Sequence, residues 1–397
     1  MKIGVPTEIK ADEYRVAITP AGVREMTDHG HEVLIQAGAG DGSAIADDGY
    51  EAQGARIVAD AAAIFAEAEM VLHVKELQPA EIEMLRPGQL LFTYLHLAPD
   101  PEQTKGLCAS GVTAIAYETV EDSHGRLPLL APMSEIAGKI ATQAGAFMLE
   151  KPLGGRGILL GGVPGVPPAN VMVIGGGAVG LHAASIAIGM EADVFVYDVS
   201  LEKLRELDVA FAGRASTVFS STLSIEEKLP LMDLVIGGVL VHGARAPHVI
   251  TRKHLALMKP GAVLVDVAID QGGCFETSRP TTHGDPTYEV DGIIHYCVTN
   301  MPGAVPITST YALTNATLPY VLALADHGVV EAARRDPGLK LGINVADGKV
   351  THPAVAEGVG MEYVPPDAVL GIGAPDAEVP GSRGAGATAA HAIPNGN

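Results

Sequence analysis

The stretch "VMVIGGGAVGLHAASIAIGMEADVFVYD" sets Gly175, Gly177 and Gly180 in a GxGxxG spacing, after one apolar run that reads as a strand and at the opening of another that reads as a helix. A further strand-like run then ends in Asp198. With 47 glycines in the chain the spacing alone means little, but strand, glycine turn, helix and acidic strand end together make a specific pattern. Glycine lets the chain turn tightly and lets a pyrophosphate approach the backbone, while the helix N-terminus presents unpaired N–H groups to its charge. Asp198 suits the ribose hydroxyls of adenosine and repels a 2'-phosphate, so the expected cofactor is NAD rather than NADP. The competing reading is a structural turn followed by an acidic strand end.

Four other polar groups fall at the ends of apolar runs. His96 closes "LLFTYLHL", Lys75 closes "MVLHVKE", Arg15 lies in "ADEYRVAITP" after the first strand, and Asp270 follows "LVDVAID". Each has a bland explanation: a core imidazole on a carbonyl for His96, a surface ion pair with Glu76 for Lys75, a solvated loop for Arg15, and a turn cap before Gly272 and Gly273 for Asp270. Ligands of open parallel sheets bind outside the carboxyl ends of the strands. If two such sheets face one another, the four groups meet across a cleft beside the nicotinamide, and catalysis becomes the better explanation.

The elements that must hold them alternate strand and helix. Strands are expected at "KIGVPTE", "HEVLIQA", "ARIVA", "MVLHVKE", "LLFTYLHL" and "VTAIAYETV", then again at "NVMVIGGG", "ADVFVYD", "LMDLVIGGVLV", "GAVLVDVAID" and "IIHYCVTNM". This predicts an α/β protein with two doubly wound parallel-sheet domains, one a Rossmann NAD-binding domain, and a catalytic cleft between them. A hinge helix is expected in "APMSEIAGKIATQAGAFMLEK", with Ser134 as N-cap and Ile136, Ile140, Ala144 and Phe147 as its apolar stripe. A helix in "GAVPITSTYALTNATLPYVLALADHG" should carry the chain back. The expected division is 1–128 plus 307–371 for the substrate domain, 129–306 for the NAD-binding domain, and a disordered Gly/Ala/Pro-rich tail over 372–397.

Composition narrows the partners. A chain of 397 residues, 47% apolar, holds two cores, and a formal net charge of -21 disfavours nucleic acid and anionic membranes. Residues 157–190 contain no Asp, Glu, Lys or Arg, but Pro164, Pro167, Pro168 and many glycines argue against a spanning helix. Three scattered cysteines and the absence of a signal core at the start fit a reducing cytoplasm. No metal is expected, since Ala323 stands one helical turn before His327 and no i, i+4 ligand pair forms there.

At this point the chain resembles the alanine dehydrogenases, the NAD-dependent enzymes of bacteria. The similarity runs to about residue 370 through "VPTEIK", "EYRVAITPAGV", "LHLA", "AYETV", "LPLLAPMSE", "GGRGILLGGVPGV", "GGGAVG", "MKPGAVLVDVAIDQGGCFETSRPTTH" and "TSTYALTNATLPY". The resemblance implies reversible oxidative deamination of L-alanine to pyruvate and ammonia by a homohexamer. It assigns the substrate carboxylate to Arg15, a substrate lysine to Lys75, and acid–base roles to His96 and Asp270. It also implies cofactor contacts at Ser134, Ala178, Asp198, Lys203, Ser220, Val239, Leu240, Val267, Ala268, Ile269, Asp270, Arg279, Val298, Thr299, Asn300 and Met301. The chain departs from the family pattern at Leu77, His242 and Ile307, beside the site residues. Three rivals stand: the NAD-binding subunit of a proton-translocating transhydrogenase, a nucleotide sensor that keeps the fold without chemistry, and a dehydrogenase for another small amino acid.

Overall fold

A computed structural model describes residues 1–239 and 247–372; Leu240, His242 and the tail beyond residue 372 lie outside the described residues. Two sheets organise what is described. Strands β1 (Lys2–Val5), β2 (Glu32–Gln36), β3 (Arg56–Val58), β4 (Met70–Leu72), β5 (Leu90–Thr93) and β6 (Thr113–Ala116) belong to the first sheet. Strands β7 (Asn170–Ile174), β8 (Asp193–Asp198), β9 (Ala215–Phe219), β10 (Leu234–Gly237), β11 (Val263–Asp266), β12 (Thr287–Val290) and β13 (Ile293–Tyr296) form the second. The chain then returns to the first sheet as β14 (Ile343–Ala346) and β15 (Lys349–Val350), giving the order β15-β14-β6-β5-β4-β1-β2-β3.

Strands β4, β5, β6, β10 and β11 are buried along their whole length, which is why they read as unbroken apolar runs rather than alternating ones. The second sheet runs β12-β13-β11-β10-β7-β8-β9. Its order reverses between β7 and β10, and that reversal opens a crevice at the carboxyl ends of the two strands. The expected two-sheet α/β architecture is therefore present.

The parallel plan is broken only at edges. β12 pairs antiparallel with β13, and β14 pairs antiparallel with both β6 and β15. Both hairpins turn on an Asp-Gly pair with positive φ, Asp291–Gly292 and Asp347–Gly348, the geometry a two-residue hairpin demands.

The hinge helix spans Ala131–Met148 and begins earlier than expected. Pro132 sits in its first turn, and the Ser134 amide donates to Leu130 O at 3.1 Å, so Ser134 is inside the helix and is not its N-cap. Ile136 and Ile140 are buried as expected, whereas Phe147 is exposed. Small residues set its close packing on the glycine-loop helix, Ala178–Gly189. A Cβ on Gly138 would lie 2.3 Å from the Val179 carbonyl oxygen, and the Thr142 hydroxyl donates to Ala183 O at 2.7 Å. The return helix spans Pro306–Arg335, with a break at Gly328, and packs against the first sheet's loops, where Thr310 Oγ1 lies 2.7 Å from Ser43 Oγ and accepts from the Val16 amide. No helix among the described residues is long and apolar enough to cross a membrane.

Because a methyl group at position 138 has only backbone to push against, Gly138→Ala is expected to destabilise the protein by about 1–3 kcal/mol. A lowered urea midpoint at unchanged m-value would register it, and an unchanged midpoint would show that the two helices are not held this closely.

Candidate active site

The strands carrying Lys75 and His96 end sooner than their apolar runs do. β4 stops at Leu72 and β5 at Thr93, and beyond them buried carboxylates take over as acceptors for the backbone. Glu8 accepts from the amides of Val74 at 2.6 Å and Lys75 at 3.2 Å. Glu118 accepts from Leu95 at 3.2 Å and from His96 at 2.6 Å. Turning both amides toward one carboxylate puts His96 in the left-handed region, φ 49°, where a non-glycine residue is strained. Its imidazole, 39% exposed, stacks on Tyr94 with ring centres 5.9 Å apart, and Tyr94 is itself pinned by a 2.6 Å bond to Leu129 O. His96 is therefore not the buried, carbonyl-bonded core imidazole of the bland reading.

Arg15 is not a solvated loop residue either. It is 2% exposed, and Glu13 grips it through Nε at 2.6 Å and Nη2 at 2.5 Å. Nη2 also donates to Asn300 Oδ1 at 2.9 Å, and Asn300 Nδ2 donates to Glu13 at 3.0 Å, so a residue from the second sheet's side closes the network. Burial opposes the charge on both partners, yet their mutual bonds prevail: Glu13 is held below the usual carboxylate range and Arg15 above its ordinary value. Nη1 faces only the weak acceptor Met133 Sδ, at 3.0 Å, which leaves a donor for a better partner.

Lys75 is 8% exposed, and burial pushes its amine below the ordinary lysine value. The charges of Glu76 and Asp270 oppose that shift, while those of Arg15 and Lys10 add to it. Asp270 thus acts on Lys75 from the other sheet. Glu76 pairs with Lys10, so the expected Lys75–Glu76 surface pair is not what fixes the lysine. Asp270 stands exposed on a short turn after β11, whose carbonyls at Ile269 and Ala268 accept from Gly272 and Gly273; its carboxylate is not needed as a cap. The loop's true anchor is Asp266, fully buried, which accepts from the amides of Ala268, Cys274 and Phe275 and from Ser278 Oγ.

The dinucleotide pattern folds as its spacing demands. Gly175 has φ 102°, and a Cβ on Gly180 would lie 1.8 Å from the Gly175 carbonyl oxygen. Gly177 caps the helix that Ala178 begins, with open space where a side chain would stand, which is room for a phosphate at the helix N-terminus. Asp198 accepts from Gly176 N at 2.6 Å and Ser200 N at 2.7 Å, orienting its carboxylate at the end of β8 while leaving acceptor capacity for ribose hydroxyls. These features fit an adenine dinucleotide.

The other expected cofactor contacts distribute around the same edge. Ser220 follows β9 and bonds Asp198 O; Val239 follows β10; Val267, Ala268 and Ile269 follow β11; Val298, Thr299 and Met301 follow β13. Lys203 lies on the exposed first turn of the next helix and pairs with Glu206, Arg279 is exposed with its guanidinium 4.0 Å from the Tyr288 ring centre, and Ser134 is half-buried in the hinge helix. Asn300 is the surprise: its side chain is spent on Arg15 and Glu13. Glu8, Glu13, Glu118 and Asp266 went unnoticed in the sequence, although each is an acidic residue set in or beside an apolar run. Of the departures, Leu77 is buried and Ile307 is exposed.

Two family models match, "Alanine dehydrogenase/PNT, N-terminal domain" over residues 4–137 and "Alanine dehydrogenase/PNT, C-terminal domain" over 141–353. The chain belongs to the alanine dehydrogenase/PNT family. It is 58% identical over 371 residues to the alanine dehydrogenase of Halomonas elongata, covering 94% of this chain and all of the relative. It is 55% identical over 370 residues to that of Mycobacterium tuberculosis, with 93% and 100% covered. A solved L-alanine dehydrogenase superposes with a TM-score of 0.88 at 49% identity, covering 91% of this chain and 99% of the other. A Sinorhizobium meliloti transhydrogenase shares the plan at TM-score 0.76 and 25% identity, covering 89% of this chain and 100% of the other.

Beneath Lys75, His73 lies fully buried between Glu8 at 3.0 Å and Glu81 at 3.1 Å, and also bonds Lys75 O at 2.7 Å. Burial disfavours its charge, but the carboxylates prevail and push it up from 6.5 to about 9. Burial likewise carries Glu8 up from 4.5 to about 7, against the pull of the His73 charge. Folded His73 keeps a proton that the unfolded chain gives up, so its contribution is complete below pH 6.5 and is lost as pH rises through about 9. Urea midpoints are expected to fall across that window and to flatten in His73→Gln; equal slopes in the two proteins would remove His73 as the cause.

Proposed function

We propose that this chain is an NAD-dependent L-alanine dehydrogenase, interconverting L-alanine with pyruvate and ammonia. The observation that supports it most is that Lys75, following β4, feels the charges of both Arg15 and Asp270, the latter from the loop after β11. The relatives carry the name alanine dehydrogenase over essentially their whole length. On this reading residues 1–128 with 307–371 form the substrate domain and 129–306 the NAD-binding domain. The protein works in a reducing cytoplasm as a homohexamer, which light scattering would register as six chains and a monomeric mass would refute.

The bound dinucleotide supplies the hydride acceptor. Asp198 selects NAD by receiving the ribose hydroxyls and repelling a 2'-phosphate. Arg15, with its plane fixed by Glu13 and Asn300, offers Nη1 to the substrate carboxylate and thereby holds Cα in one orientation. Loss of hydride from Cα leaves an iminium ion on the substrate. Water then adds to that carbon as a base removes its proton, and the carbinolamine expels ammonia as an acid protonates nitrogen and a base takes the hydroxyl proton, leaving the pyruvate ketone. His96 and Asp270 exchange those roles. Lys75, in a largely water-excluded position, stabilises the carbinolamine oxygen as charge develops and polarises the pyruvate carbonyl in the aminating direction.

The deciding assay follows NADH absorbance with pyruvate and ammonium, each omitted in turn. Oxidation that needs both is expected. Oxidation with pyruvate alone would indicate a hydroxy-acid dehydrogenase, and binding without oxidation a sensor or transhydrogenase-like subunit. His96→Ala should lower kcat by about 10²–10⁴-fold with NADH affinity retained. Lys75→Ala should abolish turnover, and a raised KM at normal kcat would restrict Lys75 to binding.

A further inference from the structure

Away from the cleft, three residues from separate parts of the chain bring their ligand atoms together. His29 ends the helix Pro20–Asp28 as its C-cap, His31 directly precedes β2, and Asp326 lies on the return helix two residues before its break at Gly328. Asp326 Oδ1 is 2.8 Å from His31 Nε2, Asp326 Oδ2 is 3.0 Å from His29 Nδ1, and the three ligand atoms all fall within 4.8 Å of one another. Spacing along the chain does not announce this cluster. The two histidines are i, i+2 partners on non-helical chain, and the carboxylate is supplied from the far end of the first domain's fold.

We propose that His29, His31 and Asp326 form a binding site for a divalent cation of the zinc class. Bonds of about 2.0–2.1 Å to imidazole nitrogen and about 2.0–2.2 Å to carboxylate oxygen set tetrahedral ligand atoms about 3.3 Å apart. The two carboxylate–imidazole separations fall a few tenths of an ångström short of that and the imidazole–imidazole edge is bounded by 4.8 Å, so small rotations of the exposed His29 and Asp326 side chains suffice. Two nitrogen donors with one carboxylate favour zinc, nickel or copper over magnesium or calcium, which want oxygen. The His31 side chain is 8% exposed and acts as the fixed ligand, whereas His29 at 42% and Asp326 at 29% leave one side open for the ion and for a fourth, water ligand.

The ion would tie the start of β2 to the return helix just where that helix breaks, adding a clamp between segments joined here by imidazole–carboxylate contacts. None of its ligands belongs to the cleft, so its effect is on stability and not on the chemical step. The test uses the full chain, stripped with chelator and titrated calorimetrically with zinc chloride, with magnesium chloride in parallel. One equivalent of zinc per chain is expected, with a raised Tm and no magnesium uptake. His29→Ala and Asp326→Asn should each weaken zinc binding by more than about tenfold and remove the Tm rise, with NADH turnover unchanged. Because His29 is exposed, His29→Ala decides the matter even if Asp326→Asn fails to fold. Absence of a zinc equivalent in the unaltered protein, equal zinc affinity in His29→Ala, or matching magnesium uptake would each overturn the assignment.

Discussion

Everything at the cleft depends on acidic side chains that accept backbone N–H groups where strands run out. A parallel strand that ends inside a protein leaves amides with no neighbouring strand to receive them, and an unpaired buried amide costs about 1–3 kcal/mol. Here Glu8 receives Val74 and Lys75, Glu118 receives Leu95 and His96, Asp266 receives Ala268, Cys274 and Phe275, and Asp198 receives Gly176 and Ser200. Glu13 does the same for Arg15 and adds its grip on the guanidinium. Each carboxylate fixes backbone at or beside a candidate site residue, so the geometry of the candidate site is set one layer beneath it.

That arrangement explains a division of labour by burial. The holding groups Glu8, Glu13, His73 and Asp266 are sealed from solvent, where charge-assisted bonds are strong and side chains do not wander. The acid–base candidates His96 and Asp270 are open to the cleft, where protons and ligands must come and go. Arg15 and Lys75 occupy the middle: both are buried, Arg15 is held by Asn300 from the second sheet's side, and Lys75 feels the charge of Asp270 from that side.

The sequence was informative wherever one segment carried the whole message. Long apolar runs located β1 to β6 and five strands of the second sheet, and the glycine spacing with Asp198 located the crevice. It was less informative about where strands stop, because the apolar run of "LLFTYLHL" continues past Thr93 while the pairing does not: the acceptor that ends it, Glu118, belongs to another strand's end. Asp291–Gly292 and Asp347–Gly348 did announce hairpins, and the antiparallel edges β12–β13 and β14–β15 were readable from them but unread. Ser134 misled because a serine before an apolar stripe suggests a cap, while Pro132 had already started the helix. Asn300 could not have been placed on Arg15 from spacing, since 285 residues separate the two.

The triangle of Arg15, Glu13 and Asn300 also bears on how such a chain can be rebuilt by recombination. Two of its corners come from the segment that follows β1 and one from the segment that follows β13, so the arginine's orientation is joint property of both halves. An isolated front half would fold around an arginine missing one of its partners. A chimera that grafts a foreign nucleotide-binding half onto this front half inherits the same defect unless the donor also brings an amide side chain to that corner. Exchange of modules between relatives is thereby constrained at a hydrogen-bonded vertex formed by residues other than those of the glycine loop by which such modules are usually recognised.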